Sequence, residues 1–269
     1  MYEQVVAEIS RFVAEDEGNR FADGSAPYFD APLVGFAAAD SPLFRQYQQI
    51  IGPFHRTPDQ ILPGAATVIV WSLPITRSTR EANRRENEYP SHAWALTRCF
   101  GEDFNISLRR HLVAWLERHG YRAIAPQLDP AWQEYADTPV GVASTWSERH
   151  AAYAAGLGTF SLNDALITPR GIAHRLGSVI TDLALPPSCS ELPEYRSNCL
   201  FYRNGTCGAC ITRCPVGALS RDGHDKSRCK AYVYGTLADL LAERYGTPKP
   251  GCGLCQTKVP CEERIPTAV

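Results

Sequence analysis

Hydrophobic periodicity along positions 1–185 predicts a mixture of helices and strands. The opening segment is expected to be an amphipathic surface helix, because its apolar residues recur at helical spacing. Those residues are Val5, Val6, Ile9 and Val13. Two continuous apolar runs, at 32–39 and 65–75, are bounded by Pro, Gly or Asp and predict buried strands.

Two further helices are predicted in the middle of this region. One begins near Ser91, and the next begins at Asn105, a good N-cap residue, and ends at Gly120. The stretch 76–91 precedes them and carries four arginines and three glutamates without apolar periodicity. It favours a solvated loop over a lid above a pocket. A short strand is expected at 120–126.

The last part of this region predicts one helix and a pair of strands. Thr145 and Glu148 have the spacing of a capping box, so a helix is expected to begin there and to end at Gly156. Residues 164–185 are typical of a strand, a Pro-Arg-Gly turn and a second strand. The order of elements lacks the regular alternation of a doubly wound parallel sheet, which favours an α+β fold.

The ten cysteines are unevenly distributed along the chain. Only Cys99 lies before position 189, and the other nine fall between positions 189 and 261. We therefore predict two domains, 1–187 and 188–269. The second is rich in Cys, Gly and Pro and poor in aliphatic residues. It can bury little core by itself and is expected to need metal for its stability.

The start of the chain, its longest apolar stretch and its charge balance limit which classes of function fit the sequence. The start of the chain lacks the basic segment and apolar run of a signal peptide, which favours the reducing cytoplasm, where crowded cysteines indicate metal. The longest apolar stretch, 65–71, is too short to span a bilayer. The net charge of −2 does not give the basic footprint of a dedicated nucleic-acid binder. Lys and Arg outnumber Asp and Glu by 11 to 8 in 188–269, against 16 to 21 before it.

The segment GTCGACITRCPVGALS at 205–220 carries the densest group of cysteines. Cys207-x2-Cys210-x3-Cys214-Pro215 is close to the bacterial ferredoxin run Cys-x2-Cys-x2-Cys-x3-Cys-Pro. The ferredoxin spacing would place one more cysteine at 204. The nearest one upstream is Cys199, which a loop can bring back to the group.

Together with a later set, these cysteines make eight, the number that two 4Fe–4S clusters require. In two-cluster ferredoxins the cysteine before the proline binds the other cluster. We define quartet A as Cys199, Cys207, Cys210 and Cys261, and quartet B as Cys214, Cys229, Cys252 and Cys255. Cys189 is the alternative to Cys199. A pair of structural zinc sites is the alternative to iron, since two Cys-x2-Cys pairs also suit zinc.

At this point the chain resembles the epoxyqueuosine reductases and, more distantly, the reductive dehalogenases. The stretch 154–168, AAGLGTFSLNDALIT, is similar to a segment of that family built on a Gly-Leu-Gly turn, and Glu148 and Arg149 match its preceding charged pair. The matching residues of the stretch are Gly156, Leu157, Gly158, Asn163, Leu166 and Ile167. RCKAY at 228–232 and GCGLCQ at 251–256 resemble its second-cluster segments.

The resemblance implies a nitroreductase-like α+β domain that binds cobalamin, followed by a two-cluster ferredoxin-like domain. It implies that one cluster lies close to the cobalt, and that an external ferredoxin or flavodoxin supplies electrons for reduction of an oxidised small molecule or modified nucleoside. The residues that it assigns to the cofactor are Glu148, Arg149, Gly156, Leu157, Gly158, Thr159, Asn163 and Ile167.

The chain also departs from the family pattern. Ser161 and Leu162 stand where the family has Gly and Lys. The family's proton-donating aspartate has its best counterpart in Asp137, which lies about five residues further upstream than the pattern requires. The missing lysine and the acidic first domain argue against a tRNA substrate.

Two more side chains are candidates on their chemistry. His150 is a candidate acid, base or axial cobalt ligand, although such a histidine is often simply packed. Arg175 is a candidate for binding a phosphate or carboxylate. Three other functions fit the same residues: an electron-transfer or corrinoid-activating protein with no substrate of its own, a flavin-dependent reductase, and a zinc-stabilised binding module.

Overall fold

Helices and strands are mixed along the whole chain, and the structure, a computed structural model, describes residues 1–267. The strands are β1 (Leu33–Ala38), β2 (Thr67–Pro74), β3 (Ala123–Ile124), β4 (Glu134–Tyr135), β5 (Ala143–Ser144), β6 (Thr159–Phe160), β7 (Leu166–Ile167), β8 (His174–Thr181), β9 (Leu219–Ser220) and β10 (Gly223–His224). The helices are α1 (Tyr2–Glu15), α2 (Pro42–Ile50), α3 (Pro58–Ile61), α4 (Arg77–Arg84), α5 (His92–Arg118), α6 (Glu148–Ala154), α7 (Leu200–Asn204), α8 (Ala209–Thr212), α9 (Lys226–Ala231) and α10 (Leu237–Tyr245). A π-helical segment, Tyr232–Thr236, joins α9 to α10.

A four-stranded sheet with the order β1-β2-β8-β3 forms the centre of the first part of the chain. All of its pairs are antiparallel, and Ile69 of β2 lies opposite both Phe36 of β1 and Val179 of β8. Every residue of β2 is buried, which explains its continuous apolar sequence. The predicted buried strands are confirmed, as is the strand, turn and strand of β7 and β8.

Helices cover both faces of this sheet because successive side chains of β2 point in opposite directions. Ile69, Trp71 and Leu73 pack with apolar residues of α1 and α5. Val68 and Val70 pack with the opposite layer, which includes Phe44 and Tyr47 of α2 and the alanines of α6. The result is a three-layer arrangement in which α6 and the strands after it reach the cysteine-rich tail.

The predicted break between two helices at Asn105 is wrong. A single helix, α5, runs over 27 residues and begins near Ser91 as predicted, where the Ser91 side chain accepts a hydrogen bond from the amide of Trp94. Asn105 is buried in mid-helix. Its Oδ1 accepts a hydrogen bond from Trp71 Nε1 at 2.8 Å, and its Nδ2 donates to the carbonyl of Leu176 at 2.9 Å. The polar side chain therefore fastens the helix to the sheet.

The predicted loop at 76–91 is also wrong over its first half, which forms α4. The sequence of α4 shows no apolar periodicity because this helix buries polar side chains against the tail. Asn83 donates to Thr257 Oγ1 at 3.1 Å, and Arg84 Nε donates to both carboxylate oxygens of Glu262 at 2.8 Å.

The start of α6 lies slightly later than the predicted capping box. Ser147 is the N-cap and accepts a hydrogen bond from the amide of His150. Thr145 instead accepts from the amide of Gln133 at 3.1 Å. Gly156 ends the helix with a φ of 74°, as predicted, because glycine adopts this conformation without steric cost.

The tail has few apolar residues of its own to bury, and it shares an apolar cluster with the first part of the chain. Leu162, Ile167 and Ile172 pack with Cys199 and Val259 in this cluster. Among residues 1–267, no helix combines the length and the hydropathy needed to cross a bilayer.

Replacing the buried amide of α5 tests its role in joining helix and sheet. We expect Asn105→Ala to lower the free energy of unfolding by about 1–3 kcal/mol, because Trp71 Nε1 and the Leu176 carbonyl lose their partner. Urea unfolding measures this loss. Ser107→Ala on the exposed side of the same helix is the matched control, and equal losses in the two variants would contradict the assignment.

Candidate cluster and cofactor site

The structure gathers the cysteines of quartet A around a small cavity of about 20 Å³. Cys199 directly precedes α7, Cys207 and Cys210 lie at the start of α8 and within it, and Cys261 comes from the last segment. The rest of the lining contains no charged side chain and is mostly apolar: Ser161, Leu162, Asn163, Ile167, Ile172, Leu200, Phe201, Gly208, Val259, Pro260 and Pro266.

Quartet B surrounds a larger cavity of about 210 Å³. Cys214 follows α8, Cys229 lies in α9, Cys252 precedes the short helical turn Leu254–Gln256, and Cys255 lies within that turn. Part of the wall of this cavity comes from the predicted first domain, namely Ile75, Trp94, Asn163, His174 and Arg175 with Arg98 beside them. Quartet B, like quartet A with Leu162, Ile167 and Ile172 in its lining, therefore lies where the tail meets the first part of the chain.

Enclosure and crowding make four of these eight cysteines poor thiolates in the absence of a cation. Burial and, to a lesser extent, neighbouring cysteines raise the pKa of Cys210 and of Cys252 to about 12. The pKa of Cys255 and the pKa of Cys261 are raised for the same reasons. A metal centre has to replace these protons, since thiolate is the form that binds metal.

The donor set suits a polyatomic cluster. The four cysteines of each quartet line one cavity, and soft sulfur ligands in groups of four are those that 4Fe–4S clusters use. Among residues 1–267, no group of three or more His, Cys, Asp or Glu side chains is arranged to hold a single metal ion.

Cys199 and Cys189, the two candidates for the first ligand of quartet A, have different surroundings. Cys199 is buried in the lining of the quartet A cavity. Cys189 lies in neither cavity lining, and its Sγ donates to the carbonyl of Glu191 at 2.8 Å. Cys99 also lies outside both linings. The geometry therefore favours Cys199.

Asn163 stands between the two quartets and lines both cavities. Its Nδ2 donates to the carbonyl of Cys255 at 3.0 Å, and its Oδ1 accepts from Ser161 Oγ at 2.6 Å. The side chain thus fixes the end of the Gly-Leu-Gly segment to quartet B. It links the predicted cofactor residues directly to a predicted cluster ligand.

Arg175 lies in the wall of the quartet B cavity and forms an ion pair with Glu102 of α5. Glu102 also accepts from Arg109 at 2.9 Å. Burial raises the pKa of Glu102, but Arg175 and Arg109 outweigh burial and lower it to about 2. The carboxylate of Glu102 therefore forms ion pairs with the guanidinium groups of both Arg175 and Arg109.

His174 contributes a neutral imidazole to the same wall. Burial lowers its pKa to about 4, and its Nε2 donates to the carbonyl of Leu166 at 2.9 Å. This bond leaves Nδ1 as the unprotonated acceptor, and Nδ1 has no partner among the described residues. Sequence reasoning missed His174, Trp94 and Arg98, because nothing in their local pattern shows that they converge on distant cysteines.

The Gly-Leu-Gly turn is covered by protein on both glycines. A Cβ on Gly156 would lie 2.8 Å from Cys189 Cβ, and one on Gly158 would lie 2.5 Å from the carbonyl oxygen of Ile167. Between them Leu157 is buried, and Thr159 accepts from the amide of Asn198 at 2.9 Å. The glycines are explained by close packing of the chain on itself, and their role toward a cofactor stays a prediction.

The predicted residues of α6 have separate surroundings. Glu148 is half-buried with one carboxylate oxygen 3.4 Å from Arg109, and desolvation raises its pKa. Arg149 donates to the carbonyl of Asp164 at 2.9 Å. His150 packs between the rings of Tyr47 and Phe160, and burial lowers its pKa to about 3.

Asp137 lies in an exposed loop between β4 and β5. This hairpin is tied to α9, the helix that carries Cys229. Lys226 Nζ donates to the carbonyl of Val140 at 2.7 Å, and Lys230 pairs with Glu134 at 2.6 Å. The loop therefore approaches the quartet B side of the tail.

The comparisons with known proteins confirm the resemblance predicted from the sequence. No family model matches the chain. Epoxyqueuosine reductase of Gloeobacter violaceus is 30% identical over 220 residues, which are 77% of this chain and 60% of that protein. Other curated relatives carrying the same name are matched over about half of their length.

Solved structures share the fold. An epoxyqueuosine reductase bound to an epoxyqueuosine-modified tRNA stem loop matches with a TM-score of 0.55 at 20% identity, over 99% of this chain and 66% of that one. A reductive dehalogenase described as B12-dependent matches with a TM-score of 0.53 at 16% identity, over 87% of this chain and 30% of that one. The mixed helix and sheet architecture predicted from the sequence is thus that of these two reductase groups.

A pair of cysteine variants tests the ligand assignment. If quartet A holds a 4Fe–4S cluster, we expect Cys199→Ser to lower the iron content of the anaerobically reconstituted protein from about eight atoms per chain to about four. Cys189→Ser is the matched control and should keep the full content. Iron loss confined to Cys189→Ser would reverse the assignment of the first ligand.

Proposed function

We propose that this protein is an iron–sulfur oxidoreductase of the epoxyqueuosine reductase type. The cysteines of quartets A and B would each hold a 4Fe–4S cluster, and the clusters would supply single electrons for an acceptor held by the first domain, 1–187. The observation that carries the proposal is the composition of the quartet B cavity, in which four cysteines of the tail face Trp94, His174 and Arg175 of the first part. An electron at quartet B is therefore adjacent to the region that would hold the acceptor.

We assign cobalamin as that acceptor on the resemblance to epoxyqueuosine reductases and on the B12-dependent dehalogenase that shares the fold. Cobalamin, when bound, supplies a strongly reducing cobalt centre. The residues of this chain fit the two clusters better than they fit cobalamin. The Gly-Leu-Gly turn is covered by Cys189 and Ile167, and the cavity of about 210 Å³ is smaller than most pockets for large ligands.

The chain's own residues account for substrate contacts and proton delivery in this proposal. Arg175 presents a guanidinium at the cavity wall, which suits a phosphate or carboxylate of the substrate. Asp137 is the proposed proton donor. This role is supported by Lys226 and Lys230 of α9, which attach the β4–β5 hairpin that carries Asp137 to that helix.

The proposed substrate is an oxidised small molecule or a modified nucleoside, and tRNA is included among the carriers of that nucleoside. This corrects the expectation from charge alone. A structure that shares the fold contains a modified tRNA stem loop, and the tail carries a surplus of Lys and Arg despite the acidic first part. A phosphate backbone needs a local basic surface and not a basic protein.

A second candidate function is electron transfer to a partner or to another protein's corrinoid, with no substrate bound by this chain. The covered Gly-Leu-Gly turn favours it, because the backbone there is already in contact with protein.

An anaerobic titration separates the two functions. We expect reconstituted protein to retain about one hydroxocobalamin per chain and, with a low-potential reductant, to remove the epoxide from an epoxyqueuosine-containing tRNA stem loop. Asp137→Asn should lower that rate by about a hundredfold or more, as expected for loss of a general acid.

Glu117→Gln, at an exposed position of α5, is the control for charge and should keep the rate within a few-fold. Full cluster content without retained cobalamin or substrate turnover would contradict the first function and support the second. A bound yellow flavin would assign the acceptor as flavin instead.

A further inference from the structure

The two quartets differ sharply in the charges around them. The quartet A cavity has no charged side chain in its lining. The quartet B cavity has Arg98 and Arg175 in its wall, and Arg213 directly precedes Cys214. The two sites therefore offer different electrostatic environments to the same kind of cluster.

Arg213 brings a nearly buried positive charge to quartet B. It is 9% exposed, and its Nε donates to the carbonyls of Leu254 and Thr257 at 3.2 and 3.1 Å. Its other nitrogens donate to the carbonyls of Asn83 and Glu86 and to neutral side chains. All of these acceptors are uncharged, and Arg213 forms no ion pair among residues 1–267.

Arg98, a lining residue of the quartet B cavity, adds a second cation. Its aliphatic part packs against Gly251, next to Cys252, and its NH2 donates to Tyr234 Oη at 3.0 Å. It too lacks an ion pair among the described residues. The nearby Arg175 and burial lower the pKa of Arg98, which indicates excess positive charge at this wall.

Unpaired guanidinium groups away from water are costly unless negative charge lies nearby. A cluster bound by four thiolates is such a negative charge, and reduction adds one more. Net charge and solvent access are among the main factors that set the potential of an iron–sulfur cluster. Cations beside quartet B favour its reduced state, whereas the apolar lining of quartet A disfavours added charge.

We infer that the cluster at quartet B has the higher reduction potential of the two and that Arg98 and Arg213 are the positioning residues that set this order. Electrons would then move from quartet A to quartet B, toward the wall formed by Trp94, His174 and Arg175. In each transfer one electron would leave the reduced cluster at quartet A, which would be oxidised, and would enter the cluster at quartet B, which would be reduced. No atom or proton moves, and a one-electron donor protein of the ferredoxin or flavodoxin class reduces cluster A again.

This inference rests on the proposed clusters, and a redox titration of the reconstituted full-length protein followed by electron paramagnetic resonance tests it. We expect two separate reduction steps in the wild type. Arg98→Gln should move only the upper step to a more negative potential, by a shift that corresponds to about a tenfold change in the one-electron equilibrium, or about 59 mV.

Two matched variants control for charge and for folding. Arg98→Lys keeps the charge and should leave the upper step near its wild-type position. Arg77→Gln removes the same charge from an exposed side chain, where solvent and salt screen it, and should move neither step. An upper step that stays in place in Arg98→Gln, or a lower step that moves equally, would overturn the inference.

The Cys199→Ser variant provides a second test that does not depend on changing Arg98. It should keep only the cluster at quartet B, and its single step should coincide with the upper step of the wild type. Coincidence with the lower step would overturn the assigned order. A protein that contains no iron would instead overturn the proposed function, so the two failures are distinguishable by iron content.

Discussion

The gathering of eight cysteine thiols into two groups of four is the constraint on which the rest of the structure depends. Cys199 is buried and the other seven are half-buried, and burial raises the pKa of Cys210 and the pKa of Cys261, which disfavours ionisation of these two thiols without a compensating cation. The tail that carries them has only short helices and a two-stranded hairpin. Its stability is therefore expected to come from metal–sulfur bonds and from contacts with the first part of the chain.

Those contacts are specific and mostly polar. Arg213 joins the turn at Leu254 to the end of α4, Arg84 joins α4 to Glu262, and Asn163 joins the strand region to Cys255. Together they hold quartet B against the wall formed by Trp94, His174 and Arg175. The same interactions that attach the tail thus place one proposed cluster next to the proposed acceptor.

The regular core could be predicted from the sequence because its signals are local. The apolar runs of β1 and β2, the turn between β7 and β8 and the helix stop at Gly156 depend on neighbouring residues alone. The cysteine grouping was also predictable, since the ferredoxin spacing constrains which thiols meet. The errors at Asn105, α4 and Thr145 share one cause: a polar side chain with a distant partner resembles a cap or a loop residue. The cavity wall of Trp94, Arg98 and His174 was missed for the same reason, because its members converge only after folding.

Metal and acid-labile sulfide analysis of protein purified without air shows whether the two quartets hold iron–sulfur clusters. We expect about eight iron and eight sulfide per chain, with the broad absorption near 400 nm that such clusters give. A colourless protein with about two zinc ions and no sulfide would contradict this expectation, because tetrahedral zinc sites would then explain the eight cysteines without any electron transfer.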